Sequence, residues 1–193
     1  MVEVKAQVKD LLDAGWEVYA ADEVRLEHEA ETRRMWLPKG QRTKLSVDRQ
    51  KTSQSFFGAL SLTSKKVKLY PIEGNQNTEQ TILALDRLQR ETDTEKIAVV
   101  LDNARFHHAK MLTGLYEPGR LLERITPIHL PPYAPDHNPV EHVWNTAKNN
   151  IANIQRETLE ETFGAFASHI TGRTFDHDFE HLPPRDTEND LVS

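Results

Sequence analysis

The most restrictive stretch of the chain is Ile97–Leu101 (IAVVL), five consecutive apolar residues that stop abruptly at Asp102-Asn103. A continuous apolar run of strand length belongs to a strand buried on both faces, as in the middle of a covered sheet. The chain must therefore supply layers on both sides of that strand. Residues 4–13 place Val4, Val8, Leu11 and Leu12 at helical spacing, and Gly15 ends the pattern. Trp16–Asp22 reads as a strand, and a further strand is expected around Lys44–Val47 after the Pro38-Lys39-Gly40 turn. Ser55–Thr63 and Val67–Ile72 flank a polar Ser64-Lys65-Lys66 and read as a hairpin. Residues 77–90 form a helix capped by Asn77, with Ile82, Leu85 and Leu88 on one face. A helix over 107–116 is broken by Pro118-Gly119, and Ile125–Leu130 is another short strand. One helix opens at Asn138-Pro139, and a last one spans Thr158–Ile170 with Leu159, Phe163, Phe166 and Ile170 as its stripe. Antiparallel hairpins followed by alternating strands and helices predict an α/β fold, a mixed sheet with helices on its faces.

Composition narrows the function classes. The 193 residues contain no cysteine, which excludes a disulfide scaffold and a thiolate zinc site. No apolar run approaches the roughly 20 residues of a membrane span, and the N-terminus lacks the apolar core of a signal peptide. A soluble, intracellular protein without a membrane partner is expected. The net charge of −6 argues at first against a nucleic-acid partner. Its distribution reverses that impression. Residues 171–193 carry six acids and two bases and read as a loose acidic tail. Residues 33–51 carry seven bases and one acid, enough to contact phosphates, although a solvated hairpin face would have the same composition.

Three acids occupy telling positions. Asp22 ends the first strand, Asp102 ends the buried strand, and Glu141 lies in the first turn of a helix. Before that helix, Pro131, Pro132, Pro135 and Pro139 stiffen the loop. Strand ends in α/β sheets point into the crevice where ligands bind. Carboxylates that meet there repel one another unless a cation joins them, and Mg²⁺ suits hard oxygen donors. Two such ions are suited to phosphodiester cleavage. Simpler roles stand beside these. Asp22 or Glu23 can be a surface residue, and Asp102-Asn103 can be a plain strand exit. Asn138-Pro139-Val140-Glu141 also matches a helix start with Glu141 as a capping glutamate. Trp144 and Lys148 share the helical face of Glu141, as core and solvated residues or as parts of a site. The nine histidines show no His-x-x-x-His pair with a helical glutamate, so zinc is disfavoured. His107 is expected as a hydrogen-bonding neighbour of the acids or as a loop residue.

These residues also resemble a known family. Leu101-Asp102-Asn103-Ala104-Arg105-Phe106-His107 is similar to the "LDN…H" motif of DDE-type transposases, and Leu130–Trp144 to their "LPPYSPxLNPIExxW" motif. Ala21-Asp22-Glu23, Trp36 with Gly40, Phe57-Gly58-Ala59-Leu60 and Lys148 match further motifs in order, over about residues 16–170. The branch is that of mariner-like elements and their bacterial and archaeal insertion-sequence relatives.

The resemblance implies a ribonuclease H-like fold with a central five-stranded mixed sheet. It implies Asp22, Asp102 and Glu141 as catalytic ligands of two Mg²⁺ or Mn²⁺ ions, with Asn103 and His107 supporting them. Arg33, Arg34, Arg42, Lys44 and Lys148 become candidate DNA contacts. The implied reaction hydrolyses DNA at element ends, and the freed 3′-hydroxyl then attacks target DNA. The implied setting is a prokaryotic cytoplasm at the nucleoid, with a dimer assembled on DNA. Departures are Ala134 for the family's Ser, His137 for its Leu, and a slightly long interval between Asp102 and Glu141. The acidic net charge is also unusual for a DNA-processing enzyme. Only about fifteen residues precede the first strand, so the expected organisation is a catalytic domain over 1–170 and a tail over 171–193. The family's helix-turn-helix modules are expected to be absent or carried by a partner chain. Alternatives are a catalytically silent remnant that binds DNA or a partner chain, and another ribonuclease H-like nuclease.

Overall fold

The computed structural model describes residues 1–27, 53–131, 137–152, 156 and 158–179. The expected strand at Lys44–Val47, the basic residues Arg33, Arg34, Arg42 and Lys44, and the core of the proline loop lie outside the described residues.

The elements in chain order are α1 (Val2–Asp13), β1 (Glu17–Glu27), β2 (Ser53–Ser61), β3 (Val67–Ile72), α2 (Thr78–Arg90), β4 (Ile97–Leu101), α3 (Lys110–Thr113), β5 (Ile125–His129), α4 (Pro139–Ile151) and α5 (Leu159–Thr171). Five strands form one mixed sheet in the order β3-β2-β1-β4-β5. β1 runs antiparallel to β2 and parallel to β4, and β5 extends the parallel side. This is the five-stranded mixed sheet anticipated above. Each edge strand carries a proline, Pro71 in β3 and Pro127 in β5, where a missing backbone donor is tolerated and further strand addition is discouraged.

β4 is buried at every position, as its apolar run requires. Its alternate residues feed two cores. Ala98 and Val100 join Val18, Ala20, Trp144, Phe166 and Ile170 on the side of α1, α4 and α5. Ile97, Val99 and Leu101 join Tyr19, Ala21, Leu85 and Leu88 on the side of α2. Capping follows the sequence pattern: Asn77 Oδ1 accepts from the Gln80 amide at 3.0 Å, and Thr158 Oγ1 from the Glu161 amide at 3.2 Å.

Three expectations are corrected. β1 continues beyond Asp22 to Glu27, because β2 pairs with it as far as Glu27↔Ser53. The helix expected over 107–116 is replaced by a 3₁₀ turn (Arg105–His108), the single turn α3 and a second 3₁₀ turn (Gly114–Tyr116). The extended backbone of Ala104 and Ala109 brackets the first turn, whose His107 is drawn into the interior. The tail is not loose from Thr171. The Phe175 amide bonds the Lys65 carbonyl at 2.8 Å, and Phe175 and Phe179 are buried in the core. Among the described residues no helix is long and apolar enough to cross a membrane.

Candidate active site

The site lies where the β1–β4 ladder ends. Parallel pairing runs from Glu17↔Ile97 to Ala20↔Val100, and past it the strand pairing of β1 among the described residues is with β2. Asp22 lies two residues beyond that ladder, and Asp102 follows the last residue of β4. Because the two strands are parallel neighbours, both acids emerge at the same end of the sheet.

Glu141 is brought to them by the start of α4. Asn138 caps this helix, its Oδ1 accepting from the Val140 amide at 3.4 Å, with Pro139 in the first turn. The same side chain donates from Nδ2 to the Ala21 carbonyl at 3.0 Å, which ties the helix start to β1 one residue before Asp22. Glu141 occupies the third helical position, close enough to Asp22 for its charge to act on that carboxyl.

Asp22 is nearly buried, at 9% exposure. Desolvation, followed by the charges of Glu141, Glu23 and Asp102, pushes its carboxyl up to about 8. A metal-free site thus holds a proton where a dication would otherwise neutralise the cluster. Its Oδ2 also accepts from the Trp144 indole N–H at 3.2 Å. Trp144 reaches it by lying across β2 at Gly58, the residue paired with Asp22. A Cβ on Gly58 would fall 2.1 Å from Trp144 Cη2. The glycine therefore serves close approach of the indole rather than backbone freedom.

Asp102 is half-buried and differently held. Its Oδ1 accepts from the Ala104 amide at 3.0 Å and from His107 Nδ1 at 2.8 Å. Burial lifts this carboxyl, but the His107 and Ala104 hydrogen bonds outweigh burial and hold it below the usual carboxylate range. His107 is wholly buried, and its Nε2 lies 3.2 Å from Glu23 Oε1. Burial pulls the imidazole down, but its bonds to Asp102 and Glu23 win and push it up to about 10. The ring is therefore an imidazolium donating from both nitrogens.

The other sequence-predicted residues fall further out. Asn103 is exposed, and its Oδ1 pairs with His108 Nε2 rather than with an acid. Lys148 is half-buried on α4, two turns beyond Glu141. His129, at the end of β5, stacks on His108 with centroids 4.3 Å apart. Sequence reasoning did not find the part played by Glu23. Its only local signal is the Asp-Glu pair itself, since its partner lies 84 residues away.

The donor set suits a hard divalent cation: carboxylate oxygens whose mutual repulsion a positive ion relieves. Among the described residues no three acidic or imidazole groups already close on one point as they do around a bound ion. A cation would have to draw Asp22, Glu141 and Asp102 inward.

Comparison with known proteins identifies the family and the fold. A family described as "DDE superfamily endonuclease" matches residues 17–162. No curated protein matches the chain. Among solved structures, a pre-cleavage Mos1 transpososome superposes with a TM-score of 0.64 at 12% identity, covering 89% of this chain and 54% of that one. The Mos1 mariner paired-end complex with Mn gives 0.61 at 16%, covering 82% and 49%. The corresponding complex with Mg gives 0.61 at 15%, covering 91% and 56%. The fold is thus the ribonuclease H-like one of these catalytic domains, and the chain spans about half the length of the Mos1 chains it matches.

Proposed function

Because the chain belongs to the DDE endonuclease superfamily, we propose that it is the catalytic core of a DNA transposase of the insertion-sequence type. The observation that carries this reading is the placement of three acids together: Asn138 ties the start of α4, and with it Glu141, to β1 beside Asp22, at the sheet end from which Asp102 also emerges. Asp22, Asp102 and Glu141 are the residues that would hold two Mg²⁺ or Mn²⁺ ions. Such ions, when bound, polarise the scissile phosphate and make a water nucleophilic at neutral pH. The Mos1 complexes with Mn and with Mg support the choice of metals.

The chain's own groups set the geometry. Trp144 holds one oxygen of Asp22, and Asn138 fixes the entry of α4 so that Glu141 stands opposite. In the hydrolytic step a water oxygen bonds to phosphorus while the P–O3′ bond breaks, and the departing 3′-oxygen takes up a proton. The 3′-hydroxyl so formed then attacks a phosphorus of target DNA and displaces a target 3′-oxygen. Lys148, Arg33, Arg34, Arg42 and Lys44 are the proposed contacts to DNA phosphates. A homodimer on DNA and a partner chain with a helix-turn-helix domain are the proposed partners. The transposon-end complexes of Mos1 support DNA as substrate. The proposed location is a prokaryotic nucleoid.

The test is calorimetric titration of the chain with Mn²⁺ beside Asp102→Asn, followed by cleavage of an element-end duplex. Saturable binding that the substitution abolishes is expected. Binding that survives in Asp102→Asn, or its absence from both proteins, would overturn the reading and favour a catalytically silent remnant.

A further inference from the structure

Glu23 is a buried carboxylate for which the proposed chemistry has no use. The β-pleat turns it to the face opposite Asp22, where its side chain is 5% exposed. An enclosed carboxylate is costly unless its partners are well placed. The partners are Thr81 of α2, whose hydroxyl is shared between Glu23 Oε1 at 3.2 Å and the Asn77 carbonyl at 3.1 Å, and His107 Nε2, 3.2 Å from Glu23 Oε1. The remaining ring nitrogen of His107 does not end in solvent or on a structural carbonyl alone. It lies 2.8 Å from Asp102 Oδ1 and 3.3 Å from the Asp102 carbonyl. A continuous line of bonds therefore runs from α2 through β1 and the 3₁₀ turn to the acid at the end of β4.

That acid needs such support. β4 stops at Leu101, so Asp102 lies outside the ladder that would otherwise fix its backbone. Among the described residues, the bonds that hold its carboxylate, from His107 and from Ala104, both fall on Oδ1. Oδ2 is the oxygen left to face a cation. We propose that Glu23 is a positioning residue for the catalytic site: acting through His107, it fixes the orientation of Asp102 and commits its second oxygen to metal. The proposal rests on the reading of Asp102 as a metal ligand. It assigns the two carboxylates of the Asp22-Glu23 pair to separate tasks, one inside the site and one behind it.

The experiment is Mn²⁺ calorimetry on the full chain, well below the melting temperature of each variant, with thermal melts alongside. Glu23→Ala and His107→Gln are each expected to weaken Mn²⁺ binding about tenfold or more, the usual effect of removing a residue that supports a metal ligand. The double variant is expected to bind no more weakly than the worse single one, because both substitutions cut the same line of bonds. Glu23→Gln keeps an acceptor for His107 and should recover most of the affinity. A purely structural Glu23 would lower the melting temperature and leave affinity unchanged. Wild-type affinity in Glu23→Ala and His107→Gln, with binding lost in Asp102→Asn, would overturn the proposal and leave the metal site standing. Losses that add in the double variant would overturn it as well. Asp102→Asn binding like wild type would instead sink the metal-site reading and this inference with it. If Glu23→Ala melts without cooperativity, Thr81→Val replaces it: the loss of one hydroxyl donor should weaken Mn²⁺ binding in the same direction by less, and unchanged affinity there would overturn the proposal.

Discussion

At the scale of single residues, the site stores repulsion that a bound cation would relieve. Asp22 has a folded-state pKa of about 8, far above the carboxylate value of about 4 in an unfolded chain. Between those values the folded state binds the extra proton, so the metal-free protein loses stability as pH rises from about 4 to about 8 and levels off above. Asp22→Asn should abolish that slope and raise the metal-free melting temperature near pH 8, by about 2–4 °C per kcal/mol of repulsion relieved. It should also abolish Mn²⁺ binding, which is the sense in which the native residue favours function over stability. On the proposed reading, a cation that binds the wild-type protein must displace that proton. Mn²⁺ affinity should therefore climb by about tenfold per pH unit up to about 8 and then flatten, as calorimetry at several pH values will read. A second single-residue effect is steric. Gly58→Ala pushes a methyl group into the Trp144 ring, and overpacking of this kind costs about 1–3 kcal/mol in urea unfolding. It should weaken Mn²⁺ binding too, since the displaced indole is the one that donates to Asp22.

At the scale of elements, α4 matters through its first turn. Asn138→Ala removes a cap worth about 1 kcal/mol and strands the buried Ala21 carbonyl. The expected outcome is a loss of about 2–3 kcal/mol in denaturant unfolding, with weaker Mn²⁺ binding because Glu141 is no longer registered against β1. Elements were legible in the sequence wherever local pattern and tertiary environment agree. The apolar run of β4, the Asn77 cap and the Asn138-Pro139 start all appear as read. Agreement fails at residues 105–116, where helical spacing yields to the pull of Glu23 and Asp102 on His107. Asp102 and Glu141 could be picked out because a strand end and a helix start mark them, whereas Asp22 lies within β1, two residues past the end of its pairing with β4. Among their supports, His107 is legible as a hydrogen-bonding neighbour of Asp102, but the contacts of Trp144 and Glu23 are not. Trp144 is 122 residues from Asp22 and Glu23 is 84 from His107, and no periodicity spans such distances. Asn103 shows the converse: proximity in sequence to Asp102 does not make it a neighbour of the acids, since its amide serves His108.

At the scale of the whole molecule, the sheet separates two cores, and the chain after α5 closes one of them. Phe179, at 2% exposure, belongs to the core beside α4 and α5. Phe179→Ala should cost about 3–5 kcal/mol in urea unfolding, whereas a loose tail would make the change nearly silent. Lys65 helps to hold this returning segment, its ammonium 3.6 Å from Asp176 and 3.3 Å from the His177 carbonyl. β1 is the middle strand of the five, and its alternation deals Asp22 to the half of the molecule that holds α4 and Glu23 to the half that holds α2. Deleting or inserting one residue early in β1 would exchange them. Net charge and composition would scarcely change, yet the wrong carboxylate would meet Glu141 and the other would lose its imidazole. Only an even shift keeps the assignment. What β1 transmits to the site is thus a matter of parity, an odd-or-even count along the strand that an inventory of its side chains would never reveal.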